Sequence, residues 1–208
     1  MLVTVFGAGG KTGQLVVQQL LAKGHTVRAF LRDPAKLPMR DARLHVVAGD
    51  ARDEAAVDAA VEGAEAVIST LGASRKDKDP IFSAGTKSIL AAMSRHDCLP
   101  IAVISAQGVG TEGDAGLSPM LRLFRFLLGD TITDMRDMEE ALKTSDRIWT
   151  IVRPGGLNDE PLGAYDIVEA NAIKGGSRTR RADLADALVL AVTEQRWPRM
   201  AVSIASRK

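Results

Sequence analysis

The chain opens with a short apolar run, a glycine-rich turn and a helix-like segment, in that order. Leu2–Phe6 is rich in β-branched residues, residues 7–13 read GAGGKTG, and residues 15–21 carry apolar side chains at helical spacing. A strand, a glycine turn and a helix start predict a dinucleotide-binding crossover, in which amide groups at the helix N-terminus receive a pyrophosphate. This turn therefore constrains both the fold and the ligand.

The glycines of this turn follow G-x-x-G-x-x-G spacing. Gly7 lets the chain leave the strand sharply, Gly10 leaves room for phosphates beside the backbone, and Gly13 lets the helix pack close to the sheet. Gly7 and Gly9 begin the commoner G-x-G-x-x-G pattern, but its third glycine would fall on Thr12. Plain turn chemistry is the alternative, which the strand–helix context disfavours. The predicted phosphate-binding set is Gly7, Gly9, Gly10, Lys11, Thr12 and Gly13.

The end of the second predicted strand, residues 25–31, bears on the choice of cofactor. A carboxylate about 20 residues beyond the glycines binds the ribose of NAD, whereas an arginine there suits the 2′-phosphate of NADP. Arg32 is the first residue past the strand, and Lys36 follows one turn later. We therefore predict that Arg32 and Lys36 bind NADP(H). The alternative is that Asp33 turns toward the ribose and favours NAD(H).

Composition restricts the class of protein. The 208 residues suffice for one well-buried domain, predicted over 1–208, and 27 Lys and Arg against 26 Asp and Glu exclude a global field for nucleic acid or membranes. The single cysteine excludes an internal disulfide. Neither a secretory signal nor a long apolar span is recognisable. We expect a cytoplasmic monomer or homodimer without a metal, acting on a small molecule.

Strand-like and helix-like segments alternate along the chain, which predicts an α/β, doubly wound Rossmann fold with a central parallel sheet. A small C-terminal region is expected to bind substrate, with substrate-side elements at 107–130 and 154–180. Further strands are predicted at 44–48, 64–72, 100–106, 148–153 and 199–204, and further helices at 53–61, 81–95, 133–144 and 181–194.

Residues that follow the strands are the best candidates for ligand binding, because ligands lie across the carboxyl ends of the strands in such a sheet. Asp50 and Ala51 are predicted to meet adenine, and Thr70, Leu71 and Gly72 to line the ribose and pyrophosphate path. The residues predicted to flank the nicotinamide are Ser105, Ala106, Arg153, Pro154, Gly155 and Gly156. Ser105 is either catalytic or bonded to nearby backbone, and Arg153 either binds ligand or forms a structural ion pair.

Two segments near the expected nicotinamide are ambiguous. Residues 116–129 read as an apolar helix flanked by glycines, either a mobile lid over a planar substrate or an ordinary packed or dimer-contact helix. The helix predicted at 133–144 is acidic, and most of its carboxylates are expected on a solvated face.

Taken together, the glycine turn and the motifs Leu31-Arg32-Asp33, Gly49-Asp50, Thr70-Leu71-Gly72, Ile104-Ser105-Ala106 and TIVRPGGL at 150–157 resemble the atypical, NmrA-like short-chain dehydrogenase/reductases. Within that group, residues 153–165 are similar to the NADPH-dependent flavin reductases, also called biliverdin-IXβ reductases. The resemblance spans nearly the whole chain. It implies NADPH as hydride donor, an open pocket for a flat acceptor such as flavin or a linear tetrapyrrole, and a serine beside the nicotinamide at Ser105.

Two departures concern the substrate. Mammalian flavin reductases carry a histidine where this chain has Gly156. The Tyr-x-x-x-Lys pair of carbonyl-reducing members is also absent, since Tyr165 is the only tyrosine and Glu169 stands four residues later. Ketone reduction needs such a phenol to protonate the alkoxide, whereas flavin, quinone or biliverdin reduction demands less of the protein.

Three functions therefore compete. The first is an NADPH-dependent reductase of flavin, quinone or tetrapyrrole. The second is an NAD(P)-dependent epimerase or dehydratase, which the short C-terminal region and the missing Tyr–Lys pair disfavour. The third is a non-enzymatic NADP(H) sensor of NmrA type.

Overall fold

The computed structural model describes residues 1–73, 80–110, 129–174 and 178–207. The strands of its main sheet are β1 Leu2–Phe6, β2 Thr26–Leu31, β3 Leu44–Ala48, β4 Ala66–Ser69, β5 Pro100–Ile104, β6 Ile148–Pro154, β8 Tyr165–Val168 and β10 Met200–Ser206. These eight strands lie in the order β3-β2-β1-β4-β5-β6-β10-β8. All neighbouring pairs are parallel except β10 with β8. The predicted doubly wound fold is confirmed.

Helices cover both faces of this sheet. They are α1 Lys11–Ala22, α2 Glu54–Val61, α3 Phe82–Arg95, α4 Gly129–Lys143 and α5 Arg181–Thr193. One apolar core joins α1 and α5 to the sheet, and a second joins α2, α3 and α4 to the opposite face. Within the described ranges, no helix is long and apolar enough to cross a membrane.

The sequence pattern missed three short strands near the carboxyl end of β6. Gly156–Asn158 (β7) pairs in parallel with Arg178–Arg180 (β9), and β8 adds an antiparallel edge to the main sheet. Each has three or four residues, which is too short for an alternating pattern to show. The strand predicted at 64–72 is also shorter, ending at Ser69, so that Thr70 and Gly72 belong to the following loop.

The proposed lid at 116–129 lies outside the described residues except for Gly129, which begins α4. The charged loop before α3 is likewise outside them between 74 and 79.

Candidate nucleotide-binding site

A cleft of about 290 Å³ lies at the carboxyl edge of β1, β2, β3 and β4. This is the edge where ligands bind in doubly wound sheets. The cleft brings together ten of the predicted binding residues, which are Gly7, Gly9, Gly10, Arg32, Lys36, Asp50, Ala51, Thr70, Leu71 and Gly72. Lys11, Thr12 and Gly13 form the first turn of the helix that follows β1, and the remaining predicted residues lie at or just past the ends of β5 and β6.

Close backbone packing explains two of the three glycines of the G-x-x-G-x-x-G motif, Gly7 and Gly13. Gly7 has φ +76, and a Cβ there would lie 2.6 Å from the Thr70 carbonyl oxygen. A Cβ on Gly13 would overlap the Gly7 carbonyl and lie 2.8 Å from the Ala8 Cα. Both positions therefore require glycine for the reasons that the spacing predicts.

Gly10 differs from them because the protein leaves open space on its side. A Cβ there would meet only the Gly7 carbonyl oxygen, at 3.4 Å. Gly10 is also the N-cap of α1 and offers no side-chain acceptor to the amide groups of Lys11, Thr12 and Gly13. Those amides and the positive end of the helix dipole suit an anion.

The side chains of Thr70 and Gln14 hold this turn in place. The Thr70 hydroxyl donates to the carbonyls of Phe6 and Gly7, at 2.9 and 3.1 Å, and so ties the loop after β4 to the turn. Gln14 was not predicted, yet its Nε2 donates to the carbonyls of Gly9 and Lys36, at 3.2 and 2.7 Å. Gln14 thus fixes the distance between the glycine turn and the segment after β2.

Lys11 has an acidic partner across the mouth of the phosphate end. Its Nζ donates to Asp159 Oδ2 at 2.7 Å, and Asp159 also accepts from Arg181. Lys11 and Asp159 are mostly exposed, and the bonds from both cations hold the pKa of the Asp159 carboxyl below its ordinary value.

The acidic side chains of the rim are already engaged by the protein. Asp33 Oδ1 accepts from the Ala35 amide at 3.1 Å and caps a 3-10 turn at Pro34–Lys36. Asp50 receives Arg52 on both oxygens, with Nε at 2.9 Å and Nη2 at 2.7 Å. Hydrogen bonds from Arg52 lower the pKa of Asp50 to about 2. The predicted contact between Asp50 and adenine would have to share these oxygens.

A different environment surrounds the residues predicted beside the nicotinamide. Ser105 follows β5, and its hydroxyl donates to Glu139 Oε1 at 2.7 Å. Arg153 donates to the same carboxylate through Nε, at 2.9 Å, and through Nη2 to Oε2. Ser105, Glu139 and Arg153 are 2%, 2% and 1% exposed. Arg153 forms the structural ion pair that was one of its two predicted roles, and the Ser105 hydroxyl bonds to a carboxylate rather than to backbone.

The expectation that α4 places its carboxylates in solvent is therefore wrong for two residues. Glu139 belongs to the buried network, and Asp134 accepts from the amides of Ile81, Phe82 and Ser83 at 2.8–3.0 Å. Both face the protein because α4 packs against α3 and β6. A helical wheel of α4 alone cannot reveal these partners.

The other residues predicted at this end lie on adjoining backbone. The Ser105 amide donates to the Val152 carbonyl at 2.9 Å, and the Gln107 amide to Pro154 at 3.0 Å, so Ala106 runs beside Pro154. The Gly155 amide donates to Thr179 Oγ1 at 3.1 Å, and Gly156 opens β7. The segments after β5 and β6 thus continue side by side beyond the sheet.

The phenol of Tyr165 and the thiol of Cys98 both have a raised pKa and do not line the cleft. The Tyr165 hydroxyl, on the edge strand β8, donates to Asp186 at 2.7 Å, and burial together with that carboxylate raises its pKa. Burial raises the pKa of the Cys98 thiol to about 11. No cluster of His, Cys, Asp or Glu that could hold a metal occurs among the residues that the structure describes.

Comparison with known proteins agrees with this geometry. A family model described as NAD(P)H-binding matches residues 7–195. The chain belongs to this NAD(P)H-binding family. An uncharacterised chloroplastic protein of Arabidopsis thaliana is 31% identical over 189 residues, which cover 86% of this chain and 67% of that protein. The open side of Gly10 and the uncapped amides of α1 fit such a cofactor.

Two further proteins are similar to this chain, one in sequence and one in fold. Cinnamoyl-CoA reductase 1 of Oryza sativa is 32% identical over 117 residues, which cover 51% of this chain and 35% of that protein. The chain therefore spans about a third of the length of this relative. The structure of ChuY, an anaerobilin reductase from Escherichia coli O157:H7, superposes with a TM-score of 0.83 at 23% identity, and the superposition covers 100% of this chain and 98% of that one. The family is thus NAD(P)H-binding, and the fold is shared with ChuY.

Proposed function

We propose that this protein is an NADPH-dependent reductase that transfers hydride to a flat acceptor such as a flavin, a quinone or a linear tetrapyrrole. When bound, the nicotinamide supplies the hydride. The chain's own residues bind the dinucleotide along the carboxyl edge and orient it. The names of two relatives, a cinnamoyl-CoA reductase and an anaerobilin reductase, support a reductase over a sensor.

We base the proposed preference for NADPH on the positively charged side chains at the cleft rim. One oxygen of Asp33 accepts a hydrogen bond from the Ala35 amide, and the charge of Asp50 is neutralised by Arg52. Arg32 and Lys36 line the same rim and are exposed. A 2′-phosphate placed there would meet two cations, and an arginine can bind phosphate through two parallel hydrogen bonds.

The hydroxyl groups of Ser105 and Tyr165 support an acceptor that does not need a side-chain acid. Ser105 and Tyr165 both donate their protons to carboxylates. A ketone would need a proton at the new alkoxide, whereas a reduced flavin, quinone or tetrapyrrole can take its proton from water. Orienting one flat ring against another is then the main task of the protein.

A kinetic comparison tests this proposal. The purified protein is mixed with NADPH or NADH and with FMN, a quinone or biliverdin, and the loss of nicotinamide absorbance is followed. Arg32→Ser should lower kcat/KM for NADPH about ten- to hundredfold and leave NADH nearly unchanged. Arg40→Ser is the matched control, because Arg40 is exposed and does not line the cleft.

Two results would overturn the proposal. Higher kcat/KM with NADH in the wild-type protein would show that Arg32 does not select the cofactor. Tight binding of NADP⁺ without turnover of any acceptor would favour a sensor of NmrA type. We also propose a cytoplasmic monomer or homodimer, although the first of the relatives above is named as chloroplastic.

A further inference from the structure

The buried network after β5 and β6 fixes the direction of one hydrogen bond. Arg153 can only donate, and it donates to both oxygens of Glu139. Lys143 Nζ, at 3.4 Å from Oε2, adds a second cation on the same carboxylate. Glu139 is therefore surrounded by donors and accepts on each oxygen, as an ionised carboxylate does.

The direction of the Ser105 hydroxyl follows from this. Its Oγ lies 2.7 Å from Glu139 Oε1, and an ionised carboxylate has no proton to give. The Ser105 proton must therefore point at Glu139. What Ser105 retains for any other neighbour is the lone pairs of its oxygen, so it can accept a hydrogen bond but has no proton left to donate.

Ser105 stands where the nicotinamide end of a dinucleotide would lie. It is the first residue past β5, at the carboxyl edge of the sheet, one strand beyond the cleft formed by β1 to β4. The nicotinamide ring carries a carboxamide whose NH₂ group has two donors, and that group complements an oxygen that can only accept.

We propose that Glu139 is a positioning residue: by taking the proton of Ser105, it makes the Ser105 oxygen a dedicated acceptor for the carboxamide NH₂ of the bound nicotinamide. This rests on the proposed function only in that the nicotinamide lies after β5. Ser105 then orients the ring and plays no part as an acid, which agrees with an acceptor that takes its proton from water.

Binding of three nucleotides tests this without any turnover. They are NADP⁺, its 3-acetylpyridine analogue, which has a methyl ketone in place of the carboxamide, and 2′-phospho-ADP-ribose, which has no pyridine. The wild-type protein should bind NADP⁺ about five- to tenfold more tightly than the acetylpyridine analogue, the effect of one hydrogen bond. Dissociation constants are measured by calorimetry.

Variants then separate the acceptor from the residue that orients it. Ser105→Ala should bring the two pyridine nucleotides within about twofold of each other, since the acceptor is gone. Glu139→Gln should also reduce the preference, because the Gln amide can donate to Ser105 and free its proton for the ketone of the analogue. Neither variant should change the affinity for 2′-phospho-ADP-ribose.

Two further variants control for an effect on folding alone. Glu140→Gln makes the same chemical change at the next residue, which is exposed, and should keep the wild-type preference. Should Glu139→Gln alone fail to fold, Glu139→Gln/Arg153→Met removes both buried charges together and gives the same readout.

The outcomes distinguish this inference from the proposed function. Equal affinity of the wild-type protein for the two pyridine nucleotides, or an unchanged preference in Ser105→Ala or in the Glu139 variant that folds, would overturn the role of Glu139 even if the protein reduces flavin. A preference that these variants abolish would support it even if no acceptor is turned over. Failure of the wild-type protein to bind either nucleotide would refute both.

Discussion

The two ends of the carboxyl edge are built by different means. The cleft after β1 to β4 relies on backbone, with Gly7 at positive φ, uncapped amides at α1 and exposed cations at its rim. The end after β5 and β6 relies on charged side chains that are almost fully buried, centred on Glu139 and Arg153. The first arrangement is open to a ligand, and the second is largely satisfied by the protein itself.

This difference indicates a division of labour. We expect binding strength toward a dinucleotide to come from the open cleft, where amides and cations have room for phosphate oxygens. The buried end should contribute little beyond the proposed hydrogen bond to the Ser105 oxygen, because its charged groups Glu139 and Arg153 already pair with each other. What it supplies is a fixed orientation for whatever lies against it.

The largest expected effect comes from splitting the buried ion pair. Glu139→Gln leaves the Arg153 guanidinium in the interior without its carboxylate, and breaking such a pair from one side destabilises a protein by about 3–5 kcal/mol. Urea unfolding at neutral pH measures the change. Glu139→Gln/Arg153→Met should recover most of the loss, because no unpaired charge remains inside.

The contrast with the exposed end sharpens this prediction. Asp159→Asn removes the partner of Lys11, where both side chains are mostly exposed, and should leave the urea midpoint almost unchanged. Equal losses in Glu139→Gln and Asp159→Asn would show that burial does not distinguish the two ends.

The sequence predicted the open end better than the buried one. Glycine spacing, strand ends and the position of Arg32 are local features, and the structure places those residues in one cleft. The network of Ser105 and Glu139 joins residues 34 positions apart, and Asp134 caps a helix more than 50 positions away. Such partners depend on how α4 packs against α3, which periodicity along α4 does not encode.

The ambiguity at Ser105 and Arg153 has the same origin. An arginine at a strand end can bind a ligand or a carboxylate, and the choice depends on which residue arrives from elsewhere in the chain. Here α4 brings Glu139 beside both residues. Gln14 was not predicted for a related reason. Its two acceptors are backbone carbonyls, which no side-chain motif indicates.

A smaller effect separates two roles within the glycine turn. Gly13→Ala would force a Cβ against the Gly7 carbonyl and the Ala8 Cα, and overpacking of this kind destabilises by about 1–3 kcal/mol. Gly10→Ala meets only one atom, at 3.4 Å, so it should unfold close to the wild-type urea midpoint. Its Cβ would nevertheless project toward the bound phosphates.

Calorimetry with NADP⁺ completes that comparison. Gly10→Ala should lose affinity for NADP⁺ while remaining folded. This result would show that Gly10 leaves room for the ligand, whereas Gly13 leaves room for the protein's own backbone. Wild-type affinity in Gly10→Ala would mean that the phosphates do not approach the backbone at this residue.

The smallest effect concerns pH at the open end. Hydrogen bonds from Arg52 lower the pKa of Asp50 to about 2 in the folded protein, whereas an unfolded Asp has a pKa of about 3.9. A depressed pKa contributes stability that is complete above the unfolded value and is lost as the pH falls toward the folded value. Wild type should therefore exceed Asp50→Asn in urea midpoint by a constant margin from pH 5 to 8, and the margin should shrink between about pH 4 and pH 2. A margin that persists unchanged at pH 3 would show that the Asp50–Arg52 pair acts through its shape and not through its charge.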